Sequence, residues 1–351
     1  MHKFHICVNI VCLALLWTGC RQAGGSSDSQ LSATISKKTD TASVSGTINL
    51  KDSLPVTPES DTARYRKLIH YLAHDSVTSK WPKDYGHPPS GAILPFKRIV
   101  AYYGNFYSRH MGILGSLSEK DLIENLGNEV SAWNKADSLL PVIPAIHYIA
   151  VTAQSSPGKG SKYRLRMPDH QIEKAISLGR KIEGITFLDV QVGHSTVWSE
   201  VPLLEKHLIH PDVHLALDPE WSMKNGKTPG SRIGTMDAGD VNYAISYLSD
   251  LVKKHNLPPK VLVVHRFTKG MISNSDKIKP TPEVQVVINM DGFGFPAKKR
   301  DSYRRFVAGY PVQYTGFKLF YKNDKWTKPH RLMTPDEILG LYPRPIYIQY
   351  Q

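Results

Sequence analysis

The sequence predicts an α/β fold: a TIM-like (β/α)8 barrel, lacking the last helix and preceded by a disordered N-terminal tether. Eight short apolar runs, rich in β-branched and aromatic residues, recur between Phe96 and Gln351. Amphipathic stretches with apolar residues at helical spacing lie between most of them. Such alternation implies parallel strands joined by right-handed crossovers. No glycine-rich phosphate turn follows the first run, which favours the closed barrel over an open doubly wound sheet, the second topology compatible with the pattern.

The strand candidates are Arg98–Gly104, Val142–Ala150, Ile185–Gln191, His214–Glu220, Lys260–His265, Gln285–Asp291, Tyr314–Phe320 and Pro345–Gln349. Their near-continuous apolar character suits strands covered on both faces. Helices are expected at Ser118–Asp137, with Leu122, Leu126, Val130 and Trp133 on one stripe, and at Asp169–Ile182. Further helices are expected at Val197–Ile209, Asp237–His255, Arg300–Val307 and Thr334–Leu341. The crossover after Lys260–His265 is polar and carries Pro280 and Pro282, the weakest helix signal of the set. The chain stops soon after the eighth run, so a helix over Thr62–Asp75 is expected to replace the missing one or to cover the barrel floor.

Four segments follow. Residues 1–20 read as a lipoprotein signal peptide, 21–60 as a flexible linker, 61–95 as a helix with an extended lead-in, and 96–351 as the barrel. The start is basic, then apolar through Ile6–Trp17, and ends Leu16-Trp17-Thr18-Gly19-Cys20, which resembles a lipobox. Lipid on Cys20 would hold the exported protein to a membrane of the bacterial cell envelope. The other cysteines, Cys7 and Cys12, lie inside the signal, so no disulfide framework and no cysteine metal site is expected after processing. Residues 21–60 are rich in Ser, Thr, Gly, Asp and Lys and bury too little apolar surface to order themselves. The net charge is +13. Export argues against nucleic acid as a partner and leaves anionic lipid, acidic glycan or solubility. The small basic cluster Lys298, Lys299, Arg300, Arg304 and Arg305 reads as a solvated helix face.

Polar residues close the strands. They are Tyr103 and Asn105, His147, Asp189 and Gln191, Asp218 and Glu220, His265, Asn289 and Asp291, Lys318, and Gln349. In a parallel barrel those ends meet at one mouth, where active sites form. Asp218-Pro219-Glu220 is the sharpest signal, because residues two apart on a strand share a face and paired carboxyls push one pKa up, as a general acid requires. Trp221 follows as a platform for a sugar ring. The plainer alternative is that Asp218 binds loop N–H groups and Trp221 packs in the core. Asp189 and Asp291 at matching ends tip the balance toward a catalytic set of Glu220, Asp218, Asp189 and Asp291. Tyr103, Asn105, His147, Gln191, Trp221, His265, Lys318 and Gln349 are the candidate substrate contacts. No cofactor is expected. No His-x-His ends the first strand and no HExxH motif is present, so no metal is expected either, although His147, His265 and the aspartates offer mixed nitrogen and oxygen donors. A G-x-S-x-G elbow is missing as well.

The segments YYGN (Tyr102–Asn105) with MGILG (Met111–Gly115), FLDVQVGHS (Phe187–Ser195), LALDPEW (Leu215–Trp221), VVH (Val263–His265), MDGFG (Met290–Gly294), GFKLFY (Gly316–Tyr321) and PRPIYIQYQ (Pro343–Gln351) carry a resemblance to a group of exported bacterial (β/α)8-barrel lipoproteins. It spans about residues 96–351 and implies the fold rather than an activity. More distantly, D-x-E at the fourth strand is similar to chitinase-type and lysozyme-type glycoside hydrolases. By that likeness Glu220 is the acid and Asp218 its modulator. Two departures weaken it. Leu215, Ala216 and Leu217 stand where the chitinase type carries further aspartates, and Tyr103 and Asn105 stand where the lysozyme type ends its first strand in aspartate. The expectation is a lipid-anchored glycoside hydrolase acting on a polysaccharide. The alternatives are a non-catalytic glycan binder and a metal-dependent hydrolase.

Overall fold

The computed structural model describes residues 58–351 apart from 77, 79, 80 and 84; the signal segment, Cys20 and the linker to residue 57 lie outside the described residues. All eight expected runs are strands. They are β1 (Arg98–Gly104), β2 (Val142–Ala153), β3 (Ile185–Val190), β4 (Val213–Leu217), β5 (Lys260–Arg266), β6 (Val284–Met290), β7 (Tyr314–Leu319) and β8 (Tyr347–Tyr350). Each pairs in parallel with its neighbour in this order, and β8 pairs with β1 through Ile99 opposite Tyr347, which closes the barrel.

The two strand faces sort into two cores with the period of a pleat. Val100, Leu188, Leu215, Leu262, Val286, Phe317 and Ile348 face outward onto the helices. Ile99, Ala101, Ala145, Phe187, Ala216, Val263, Val287 and Tyr347 face inward. The interior mixes small and large side chains. Gly316 on β7 is the clearest case, since a Cβ there would stand 2.7 Å from Asn289 Oδ1 and 2.9 Å from the Tyr347 ring.

The long helices form where the apolar stripes place them, at Glu119–Ala136, Asp169–Lys181 and Ala238–His255. Ser118 caps the first through the Asp121 N–H, and a capping box of Asp237 and Asp240 opens the third. Three expectations need correction. The helix expected over Val197–Ile209 is broken into Val197–Glu200, a 3-10 turn Val201–Leu204 and Glu205–Leu208, because Pro202 has no N–H to continue the ladder. The helix expected over Arg300–Val307 begins earlier, with Pro296 in its first turn, and ends in a π turn over Tyr303–Ala308. Lys299 is not on a solvated face. It is buried, donating to the Lys318 carbonyl and to Asp324, each at 2.7 Å. The polar crossover after β5 contains only 3-10 turns and the two-residue strand Ile272–Ser273.

The helix before the barrel, Pro58–Leu72, and the lead-in to Leu94 cover the floor. Leu68, Leu72, Trp81 and Leu94 are buried in the same cluster as the inward residues at the lower strand ends. Gln285, at the foot of β6, clamps Leu94 at both backbone groups: it accepts from the N–H at 3.0 Å and donates to the carbonyl at 2.5 Å. Two buried backbone groups lose their partner in Gln285→Ala. The variant should unfold at lower urea concentration, with a stability loss of about 1–3 kcal/mol for each group left unpaired, while a midpoint equal to wild type would show that the clamp contributes nothing.

Candidate active site

Inward residues turn from apolar to charged toward the carboxyl ends of the strands. Asp189 on β3 sits fully buried between two histidines, its Oδ2 3.2 Å from His147 Nε2 and 3.5 Å from His265 Nε2. His265 Nδ1 lies 3.1 Å from Asp291 Oδ2, and Lys318 Nζ lies 3.0 Å from Asp291 Oδ1. The Lys318 ammonium also stands 3.7 Å from the centre of the Tyr103 ring. Carboxylates and cations therefore alternate along this chain of contacts.

Each strand supplies its residue at the level its length and register permit. His147 is opposite Tyr103 on one side and Phe187 on the other, so it lies in the middle of β2 and not at its end. Its Nδ1 meets the Tyr347 hydroxyl at 2.6 Å, and that hydroxyl also accepts from Gln349 Nε2 at 2.9 Å. Gln191, just beyond β3, accepts the Ala153 N–H at 3.1 Å. Its amide is thereby turned to donate to Asp218 Oδ2 at 3.2 Å and to the Tyr103 hydroxyl at 3.3 Å.

The D-x-E expectation is half right. β4 ends at Leu217, and Pro219–Trp221 is a 3-10 turn, so Asp218 and Glu220 do not share a strand face. Pro219 has no N–H for the ladder, and its fixed φ suits the turn. Backbone bonds hold the turn: Asp218 N–H to Val190 O at 3.2 Å, and Gly234 N–H to Glu220 O at 2.6 Å. The two carboxyls nevertheless act on one another, because Asp218 is the largest influence on Glu220 after burial itself. Asp218 is buried, whereas Glu220 is half-buried at the mouth.

The electrostatics divide the four acids. Burial alone would raise Asp189, but the adjacent imidazoles of His147 and His265 outweigh it and hold the carboxyl far below its ordinary range. Asp291 is likewise lowered, with Lys318 and His265 overcoming burial. Burial raises Asp218 to about 7, with Asp189 and Asp291 adding to the shift against His265. Glu220 is driven well above the usual carboxyl range by burial, then by Asp218 and Asp291. Burial depresses His147 to about 4, so it is neutral, while for His265 the two flanking aspartates overcome burial and raise it to about 10.

The structure thus brings Tyr103, His147, Asp189, Gln191, Asp218, Glu220, His265, Asp291, Lys318 and Gln349 into one contiguous interior. Trp221 lies partly exposed in the turn beside Glu220. Asn105 does not join the set. Its amide is consumed by the Ile149 carbonyl at 3.0 Å and the Tyr107 N–H at 2.9 Å, which makes it a loop strut. The MGILG loop is shaped for the same end of β1: at Gly112, φ is 125°, and a Cβ would come within 2.3 Å of the Tyr103 carbonyl oxygen. Sequence reasoning missed Tyr347, whose contact with His147 depends on barrel closure. It also missed the rim pair Phe293 and Trp326, 45% and 65% exposed, with ring centres 5.6 Å apart. Phe320 extends the pair inward, 6.0 Å from Phe293 and 5.0 Å from the Lys318 ammonium. The signal available was positional, two aromatics in the loops that follow β6 and β7.

No family model matches the sequence, and no curated protein matches it. Among solved structures, the chain is similar to the mannanase man26 of Bacillus subtilis at 11% identity, covering 84% of this chain and 87% of that one with a TM-score of 0.40. It is also similar to the YdhT protein of Bacillus subtilis, at 10% identity over 85% of this chain and 88% of that one, TM-score 0.39. A ruminal GH26 endo-beta-1,4-mannanase is similar at 12% identity over 72% of this chain and 58% of that one, TM-score 0.35.

Proposed function

We propose that this protein is a glycoside hydrolase that cleaves a polysaccharide at the barrel mouth, with Glu220 as proton donor. One observation carries the reading: acids from separate strands gather at the barrel mouth, where Glu220 is partly exposed and Asp291 is held by Lys318 at 3.0 Å and His265 at 3.1 Å. Glu220 is raised by burial, Asp218 and Asp291, whereas Asp291 is lowered by Lys318 and His265. Two acids with environments that push their pKa values apart are suited to divided acid and charge-stabilising roles.

In the proposed reaction Glu220 gives its proton to the glycosidic oxygen as the bond from that oxygen to the anomeric carbon breaks. Asp291 stabilises the positive charge that grows on the sugar. Water adds its oxygen to the anomeric carbon and returns a proton to Glu220. Asp218 tunes Glu220, and Gln191 positions Asp218. Asp189, sealed between the two histidines, acts through His265 as a positioning residue. The exposed rings of Phe293 and Trp326 offer apolar faces of the kind on which pyranose rings stack. The three-residue turn that carries Glu220 ends in a platform of its own, Trp221.

In a panel of polysaccharides, wild type is expected to release reducing ends from at least one, and Glu220→Gln to lower that rate by about 10²–10⁴-fold while still binding the glycan. The acid must be protonated to act, so activity is present below its raised pKa and falls as pH climbs through it; the alkaline limb should therefore lie above the ordinary carboxyl range and vanish with the variant. Saturable binding with no product from any glycan would leave a glycan binder instead. In Lys318→Met the ammonium beside Asp291 is gone, and the Asp291 carboxyl, followed by carbon-13 NMR, should titrate at higher pH than in wild type. An unmoved titration would remove the cation from the account of why Asp291 stays ionised.

We also propose that the chain is held to an envelope membrane by lipid on Cys20. The support is the order of basic, apolar and small residues that ends at that cysteine. Radiolabelled palmitate supplied to cells should label the wild-type chain and not Cys20→Ala; equal labelling of both would place the lipid elsewhere.

A further inference from the structure

We propose that the interior of the barrel holds a divalent transition-metal ion of the zinc class, bound by His147 Nε2, Asp189 Oδ2 and His265 Nε2. The three ligand atoms come from β2, β3 and β5 and all lie within 4.8 Å of one another. The two histidine nitrogens stand 3.2 and 3.5 Å from the same carboxylate oxygen. Metal–ligand bonds of about 2.0–2.1 Å in a tetrahedron put its corners about 3.3–3.4 Å apart, so both separations match an edge of such a site.

Direction favours an ion over hydrogen bonds. Both Nε2 atoms and both Asp189 oxygens are buried, yet none meets a partner at hydrogen-bonding angles. Four such atoms, three of them grouped within 4.8 Å, are costly if they stay unpaired, at about 1–3 kcal/mol each or more for a charged group. The other side of each histidine is already engaged. His147 Nδ1 is held by the Tyr347 hydroxyl at 2.6 Å, and His265 Nδ1 by Asp291 at 3.1 Å, with the Asn289 amide 3.3 Å away. Metal-binding histidines are ordinarily fixed in this way, Nδ1 on an outer partner and Nε2 on the ion. With the ion in place of the proton on His265, two imidazole nitrogens and one carboxylate suit borderline metals such as zinc or cobalt(II), not calcium or magnesium, which take oxygen. Three protein ligands leave at least one coordination position open for water or another small ligand. The sequence pointed away from a metal because the ligands sit singly on three strands separated by 42 and 76 residues (189 − 147 and 265 − 189), with no local motif to join them.

The inference does not depend on the hydrolase reading, since its readout is metal binding without substrate. Purified without chelator, the protein should carry one zinc-class ion per chain by elemental analysis. After stripping, zinc chloride alone should bind saturably in calorimetry, and cobalt(II) should give visible d–d bands of a four- or five-coordinate site. His265→Gln and His147→Gln should each abolish zinc binding and those bands, whereas His194→Ala, at a partly exposed histidine hydrogen-bonded to the Lys227 carbonyl, should leave both intact. Asp291→Asn keeps all three ligands and should weaken zinc affinity by about 10–100-fold with unchanged stoichiometry, a readout that survives if a ligand variant fails to fold. A folded wild-type chain that binds neither ion, either by titration or when refolded with it, overturns the proposal. So does binding that persists with Asp189→Asn and His265→Gln combined.

Discussion

Four carboxyl groups and two cations share the upper interior of the barrel, and that shortage of positive charge organises the site. Lys318 and His265 both contact Asp291, and His265 also approaches Asp189. Those two acids can stay ionised in a buried place because their partners are adjacent. Asp218 has only a neutral amide, from Gln191, as a direct partner, and Glu220 lies beyond it. Burial then dominates on these two and the ionised acids add repulsion, while His265 and Lys318 oppose the rise only in part. The raised proton affinity at the mouth is thus a consequence of how the cations are placed beneath it. A metal held by His147, Asp189 and His265 would take the place of the proton on His265 and keep positive charge beside the same acids.

Barrel closure makes this distribution possible. Tyr347 on the eighth strand braces His147 on the second, and that contact exists because β8 pairs with β1 while β1 pairs with β2. The space for Tyr347 comes from Gly316, where any side chain would collide with the ring. Below this level the interior is apolar apart from the buried His214, and Gln285 fastens the lead-in segment across the floor. Water therefore has its route from the mouth, and exposure falls with depth from Glu220 to Asp218 to Asp189.

The barrel was legible because its signals are local. Val261–Val264, Val286–Ile288 and the pair Phe187 and Leu188 are apolar on both faces, which only a doubly covered strand explains. The stripe along Ala238–His255 and the cap at Asp237 belong to the same class of signal. The acids were legible as strand-end residues for the same reason. What could not be read was anything set by register or by a turn. Asp218 and Glu220 were expected on one strand face, but Pro219 ends the strand before them. Asn105 sits at a strand end like the others, yet its amide closes its own loop. Lys299 lies in a basic run that suggests solvent, and only the fold reveals Asp324 waiting for it across 25 residues of chain. The metal-like grouping of His147, Asp189 and His265 depends on how far each strand is slid against the next, which no spacing in the sequence states.

The choice between Asp218 and Glu220 as proton donor follows from exposure more than from proton affinity. Both are raised, Asp218 to about 7 and Glu220 well above the usual carboxyl range. A donor must meet substrate and then regain its proton from solvent in each cycle. Asp218 is 1% exposed, with one oxygen committed to Gln191. Glu220 is partly open, and its backbone is tied by Gly234 in a short turn that limits its wandering. Asp218 is therefore placed to raise Glu220 rather than to replace it. The three-residue turn created by Pro219 separates the two roles: it leaves one carboxyl in the wall and lifts the other to the opening.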